Sequence, residues 1–213
     1  METSRTSSER DLPFYDGVPV DIKGTGWLLI VTSVLIAFLA LILIPLRSFP
    51  YNLLPTALFV GIPLLALRVS AGQYWICLFH ALNGRSLGIM LLFGLATLMG
   101  SISVGWVLQQ FSEAHANPVA NEIALVSTTE IGEAFFVTSV QLVGEELLGI
   151  LPFLAALWLC VRHLGMSRRL GILIALIVSG LSFGAAHLPT YNWLWAQSLI
   201  GIGSARIRLG PRL

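Results

Sequence analysis

Long apolar runs alternate with short polar segments along the whole chain. A helix of about 20 residues crosses the ~30 Å hydrocarbon core of a bilayer, because it rises about 1.5 Å per residue. Pro55 and Pro63 are expected to interrupt and kink the second helix, and Pro189 to end the fifth. The pattern therefore predicts an all-α fold, a polytopic transmembrane helix bundle of about six spans, over residues 27–46, 53–67 with flanking residues, 87–108, 131–161, 170–188 and 191–204.

The polar segments divide the chain into four regions, which are 1–26, 27–130, 131–208 and 209–213. The first is predicted to be a polar cytoplasmic tail, and the last a short tail at the other end. The second region holds three helices, an interfacial stretch at 70–86 and a polar loop at 109–130. The third holds the remaining helices, with a basic turn at 162–169.

Composition agrees with the hydropathy pattern. Of the 213 residues, 56% are hydrophobic and only 11% are charged, whereas soluble domains carry about a quarter charged residues. The chain is therefore predicted to be a multi-pass protein of the cell membrane. No block of basic residues interleaved with aromatic residues is present, so a nucleic-acid partner is not expected.

The basic residues indicate an orientation. Lys and Arg accumulate on the cytoplasmic side of membrane proteins. With six spans and both termini cytoplasmic, eleven of the twelve basic residues fall inside, and only Arg47 falls outside. The loop at 109–130, which has no Lys or Arg, is then external. One helix more or fewer would destroy this pattern.

Two consecutive carboxylates, Glu145 and Glu146, interrupt the apolar run of the fourth predicted helix. An ionised side chain at the bilayer centre costs roughly 2.5–3.5 kcal/mol on insertion scales, so the default interpretation is a functional site. The two side chains point about 100° apart on a helix, so their roles should differ. A carboxylate in such a place can act as a general base that activates water. A structural role or a proton relay is the alternative.

The fifth predicted helix carries the complementary group. Phe183 and His187 are four residues apart and share a face, and Gly180 and Gly184 allow close helix approach. The imidazole of His187 can donate a hydrogen bond to a developing oxyanion or carry a proton. His187 is predicted to lie nearer the outer surface than Glu145, so a tilt or a break at one of the glycines would have to close the gap.

Metal chemistry is not indicated. Catalytic zinc needs about three protein ligands, and the membrane offers only Glu145, Glu146 and His187. We therefore expect no metal and no other cofactor. Cys77 and Cys160 are both predicted on the cytoplasmic side, where a disulfide is not expected. The other three histidines are expected to be ordinary surface residues: His80, His115 and His163.

A Glu-Glu pair followed about 40 residues later by Phe-x-x-x-His resembles the CPBP family of intramembrane proteases, also called the CAAX-protease-like or Abi family. The resemblance covers residues 131–208, and its most specific parts are Gly-Glu-Glu-Leu and Phe-Gly-Ala-Ala-His-Leu-Pro. It implies an endopeptidase acting on a membrane-associated or prenylated-type peptide or protein substrate. By the same resemblance, Glu145 activates water, Glu146 orients the site, and His187 is the histidine of the second motif.

Two departures from the family pattern lead to an alternative. The position that is usually Arg in the first motif is Ile150 here, and the span that carries the family's third motif does not occur before Leu213. The alternative expectation is a catalytically inactive membrane protein of the same family, with a binding, bacteriocin-immunity or scaffold role. A proton-coupled transport component is a third reading, although the internal repeats typical of transporters are not evident.

Overall fold

The computed structural model describes residues 12–79, 84–109 and 127–191, and these residues form helices and no strand. The prediction of an all-α fold is confirmed. A short 3₁₀ helix, Gly72–Leu78, follows the second α-helix, and a π-helical stretch, Leu159–His163, follows the fourth. The α-helices are α1 Gly24–Leu43, α2 Leu53–Ala71, α3 Gly84–Gln109, α4 Thr128–Trp158 and α5 Arg168–Tyr191.

Four helical stretches within the described residues are long and apolar enough to cross a membrane. They are Gly24–Leu43, Leu53–Leu78, Thr128–His163 and Arg168–His187. A shorter apolar stretch, Gly88–Val104, lies inside α3. The sixth predicted span, 191–204, lies outside the described residues. The helices therefore identify a membrane protein.

Several helix boundaries differ from those predicted. The fourth helix begins at Thr128, three residues before the predicted start, because Ser127 and Glu130 form a capping box. The Ser127 backbone N–H donates to the Glu130 carboxylate at 2.8 Å. The polar loop predicted through residue 130 is therefore wrong at its last three positions.

The prolines do not end or interrupt helices as predicted. Helix α2 continues through both Pro55 and Pro63, and α5 runs past Pro189 to Tyr191. Pro55 lies in the first turn of α2, where a backbone N–H has no partner within the helix. A proline inside a helix removes a single backbone hydrogen bond, which membrane helices tolerate.

The bundle is built from two antiparallel hairpins. In the first, α1 packs on α2, and Ser70 Oγ donates to the Gly26 carbonyl at 3.4 Å. In the second, α4 packs on α5. The hairpins meet where α2 contacts α4, and a Cβ added at Gly144 there would overlap the ring of Phe59. The buried side chains at these contacts include Phe59, Leu67, Leu151, Phe153, Leu154 and Leu157.

The first described residues form an ordered N-terminal strap, which we define as residues 12–23. Its Phe14 is fully buried, and Tyr15 and Ile22 are also part of the core. Arg162, which follows α4, donates to the Asp16 carbonyl at 2.7 Å and pairs with the Asp21 carboxylate at 3.0 Å. The part of the predicted 1–26 tail that the structure describes before α1, residues 12–23, is therefore folded across the α4–α5 end of the bundle.

The basic side chains lie at the two ends of the bundle. Arg162 binds the strap, whose last residue, Lys23, directly precedes α1. Arg68 lies in the last turn of α2, beside that same end of α1. Arg47 lies at the opposite end, where its guanidinium donates to the Ile42 carbonyl at 3.2 Å. Lys23, Arg68 and Arg162 thus lie at one end of the bundle, and Arg47 lies at the other.

Gly144→Ala should destabilise the protein by about 1–3 kcal/mol, because a methyl group there must displace the buried Phe59 ring. Thermal unfolding in detergent measures the effect. Gly132→Ala is the matched control, since nothing lies within 4 Å of a Cβ added at that position of the same helix. Equal stabilities of the two variants would contradict the close approach of α2 and α4.

Arg162→Ala should loosen the strap. The variant loses an ion pair and a hydrogen bond to a backbone carbonyl, together worth about 1 kcal/mol, which raises the opened population about five-fold. Hydrogen exchange followed by mass spectrometry should show faster exchange in a peptide covering residues 12–23. Exchange in α2 should stay unchanged. An unaltered rate in the strap would show that Phe14 and Tyr15 hold it without Arg162.

Candidate functional site

The relative position of α4 and α5 follows from two contacts. Ser179, which is 2% exposed, donates its hydroxyl to the Gly149 carbonyl at 2.7 Å. A Cβ added at Gly171 of α5 would lie 3.2 Å from Leu157 of α4. Gly171 precedes Ser179 by eight residues, and Leu157 follows Gly149 by eight. Both contacts therefore define one antiparallel register.

This register sets the depth of the predicted site residues. Glu145, which precedes Gly149 by four residues, lies level with Phe183, which follows Ser179 by four. By the same count, Gln141 lies level with His187. Four residues of helix correspond to about 6 Å along the axis. Glu145 and His187 are therefore separated by about one turn in depth. Helix α5 is continuous through Gly180 and Gly184, so the gap is reduced by the register and not by a break in the helix.

Glu145 is half-buried on α4, and Gln141 holds its carboxylate. The Gln141 amide donates to Glu145 Oε1 at 3.2 Å. Residues four apart are neighbours on one face of a helix, which makes this bond possible within α4. The bond fixes one oxygen of the carboxylate along the helix, toward the level of His187.

Glu146 lies about 100° further around the helix, and its side chain is exposed. Whether the roles of the two glutamates differ stays a prediction, and the structure shows that their burial differs. Ile150, which stands at the position of the family's arginine, packs against the hydrophobic core. Helix α4 therefore offers one half-buried and one exposed carboxylate within a single turn.

His187 is oriented by its own helix. Its Nδ1 lies 2.9 Å from the Phe183 carbonyl oxygen, and its ring lies 4.4 Å from the Phe183 ring, centroid to centroid. A carbonyl oxygen can only accept, so Nδ1 carries the proton in this hydrogen bond. In neutral His187 this tautomer leaves Nε2 without a proton. Of the two roles considered for His187, this geometry favours the proton carrier.

An apolar groove borders these residues. It has a volume of about 760 Å³, and we call it the α1–α4–α5 groove. Leu148, one turn after Glu145, lines it, and so do Ser182 and Ala186, which precede Phe183 and His187 in the chain. Glu145, Glu146 and His187 are not among its described lining residues. The predicted site therefore lies at the edge of this groove and not inside it.

Within residues 12–79, 84–109 and 127–191, no three His, Cys, Asp or Glu side chains are grouped so that they could hold a metal ion. Two carboxylates and one imidazole suffice for general acid–base catalysis.

Comparison with known proteins found no matching family model, no matching curated protein and no matching solved structure. The resemblance to the CPBP proteases therefore rests on the two motifs alone.

The sequence interpretation missed the role of Ser179 and the groove itself. Ser179 is a small polar residue one position before Gly180, and such residues often form hydrogen bonds between membrane helices. This signal was available. The groove combines side chains from three helices, among them Trp27 and Trp158, and no single segment reveals it.

Cysteine cross-linking tests the register. In a protein with Cys77 and Cys160 replaced by Ala, the pair Glu145→Cys and Phe183→Cys should react efficiently with a short bifunctional reagent. The pair Val137→Cys and Phe183→Cys should react poorly, because residue 137 lies about 12 Å further along α4. Gel mobility after cleavage between the helices measures both yields. Equal yields, or a higher yield for the control pair, would show that the register is wrong.

Proposed function

We propose that this protein is an intramembrane endopeptidase of the CPBP type. The observation that carries the proposal is the antiparallel register of α4 and α5, which sets the half-buried Glu145 within about one helical turn of His187 in depth. The two sequence motifs thus come from adjacent helices that are packed together. The substrate is a peptide or protein in the membrane, of the prenylated or otherwise membrane-associated kind that the resemblance implies.

In this mechanism Glu145 is the general base. Its carboxylate, steadied by Gln141, takes a proton from water, and the hydroxide formed attacks the carbonyl carbon of the scissile peptide bond. The tetrahedral intermediate then expels the amine when a proton reaches its nitrogen, leaving a new carboxyl group and a new amino group. A positioned general base contributes about 10²–10⁴ in rate.

His187 carries the proton to the leaving nitrogen. Its Nδ1–H is held by the Phe183 carbonyl, so Nε2 is the nitrogen that gains and gives a proton. The proton taken from water by Glu145 restores the imidazolium at the end of the cycle. Glu146, which is exposed and adjacent to Glu145 in α4, has the role of electrostatic support in this mechanism, as the resemblance implies.

The proposal includes six spans with both termini in the cytoplasm. Its support is the separation of charges between the two ends of the bundle, with Lys23, Arg68 and Arg162 at one end and Arg47 at the other. The end that carries the N-terminal strap is then cytoplasmic. In this orientation α4 runs inward and α5 runs outward.

A second candidate is a membrane protein of the same family that binds without cleaving, in an immunity or scaffold role. The observation that favours it is the apolar character of the α1–α4–α5 groove, whose described lining includes no Asp, Glu, Lys, Arg or His. Such a groove holds apolar chains or helices well, but its described lining offers no carboxylate or imidazole to act as a general base.

Cleavage assays separate the two candidates. Purified protein in detergent is incubated with a library of lipidated and unlipidated peptides, and products are identified by mass spectrometry. Glu145→Gln should lower the rate at least about 100-fold, and His187→Ala about 100- to 1000-fold. Glu133→Gln is the matched control, because Glu133 is another carboxylate of α4, twelve residues before Glu145.

The glutamine variant keeps the size of Glu145 and its contact with Gln141, so its folding should be unaltered. If the Glu145→Gln variant still cleaves peptides as the wild type does, Glu145 is not the general base and the proposal is wrong. Absence of any cleavage by the wild type, together with a cellular phenotype that survives in both variants, would favour the binding candidate.

A further inference from the structure

Two tryptophans close one end of the α1–α4–α5 groove. Trp27, which is 3% exposed, lies in the first turn of α1, and Trp158 is the last residue of α4. Their ring centroids lie 6.2 Å apart, and both side chains line the groove. The indoles thus belong to different hairpins and meet at the strap end of the bundle.

Both indole N–H groups are buried and have no hydrogen-bond partner in the part of the chain that the structure describes. An indole nitrogen can only donate. A buried donor without an acceptor costs about 1–3 kcal/mol, and buried tryptophans usually satisfy this group. The groove therefore ends in two donors that call for an acceptor atom.

Their depth indicates where the acceptor comes from. Lys23 precedes α1 directly, and Arg162 follows Trp158 by four residues. An apolar helix that begins beside such charged residues begins at the membrane–water boundary. Tryptophans accumulate at that level, with the ring in the apolar layer and the N–H toward polar groups. The acceptors of a lipid at this depth are the ester carbonyls between headgroup and chains.

The rest of the groove suits a hydrocarbon chain. Along α1 its lining extends from Gly24 to Phe38, which is about 21 Å of helix and therefore more than the depth of one leaflet. Leu148, Val178 and Ala185 face it from the second hairpin. Ser182 is the one hydroxyl among the described lining residues.

We propose that the α1–α4–α5 groove binds one acyl chain of a membrane phospholipid, whose ester carbonyl accepts a hydrogen bond from the indole N–H of Trp27 or Trp158. The lipid bridges the two hairpins at the strap end of the bundle. The site is separate from Glu145 and His187, and it does not depend on whether the protein cleaves peptides.

Photolabelling in lipid nanodiscs tests the site with the full chain. The probe is a phosphatidylcholine that carries a diazirine in its acyl chain, and adducts are mapped by mass spectrometry. Label should appear on groove residues such as Leu148 and Ala185 and should be saturable by unlabelled phosphatidylcholine. Filling the groove with Ala155→Phe and Ala185→Phe should lower labelling about ten-fold. Ala57→Phe, on an exposed position of α2 away from the groove, is the matched control and should label like the wild type.

Ether-linked phosphatidylcholine tests the hydrogen bond, because it has the same chains but no ester carbonyl. It should compete about 2- to 10-fold less well than the ester lipid, the equivalent of about 0.5–1.5 kcal/mol for one hydrogen bond. In the variant with Trp27→Phe and Trp158→Phe, the two lipids should compete equally. If the two lipids compete equally for the wild-type protein, the indoles do not donate to the ester carbonyl and that assignment is wrong. This comparison uses only the wild type, so it does not depend on whether the variant folds.

The other occupants give distinct results. Adducts spread evenly over lipid-facing residues, with no saturable fraction in the groove, would mean ordinary surrounding lipid and would overturn the proposal. Absence of groove adducts in the wild type would overturn it as well. In that case a further segment of the chain, or a second copy, covers the groove.

Discussion

The structure depends on how closely α4 can approach α2 and α5. Helices in lipid gain no hydrophobic free energy from packing on each other, so small residues and interhelical hydrogen bonds decide where they meet. Gly144 leaves the space that the Phe59 ring of α2 occupies, and Gly149 presents its carbonyl to Ser179 of α5. These contacts fix the rotation and the height of α4. Glu145 stands between the two glycines in the sequence, so its environment is set by contacts that involve no charge.

Hydropathy predicted where most of the described helices lie, but it could not predict the register between α4 and α5. Apolar runs located the helices to within a few residues, because length and transfer free energy decide what can span a bilayer. The boundaries moved where local chemistry intervened, as at the Ser127 capping box. The N-terminal strap was not predicted, because Phe14, Tyr15 and Ile22 follow no helical or strand period among their polar neighbours. Residues that follow α4 hold the strap in place, since Arg162 donates to the Asp16 carbonyl and Arg168 donates to the Tyr15 hydroxyl.

The candidate site shows the same division. The hydrogen bond between Gln141 and Glu145 follows from their spacing of four on one helix, so it was within reach of the sequence. The difference in burial between the two glutamates was not, because it depends on which face of α4 the other helices cover. For His187 the sequence left two roles open, and it could not show that Nδ1 lies 2.9 Å from the backbone carbonyl of Phe183. The groove beside the site is assembled from α1, α4 and α5, so its shape belongs to the packed bundle.

The N-terminal strap also constrains how the chain is made. Asp16 and the Arg162 side chain that holds it are 146 residues apart. At a synthesis rate of about 5–20 residues per second, the ribosome needs about 7 to 30 s to add those 146 residues. The strap is translated before its partner, and it has to wait until α4 and Arg162 have been translated. Insertion of the α4–α5 hairpin is therefore the event that lets the strap fold.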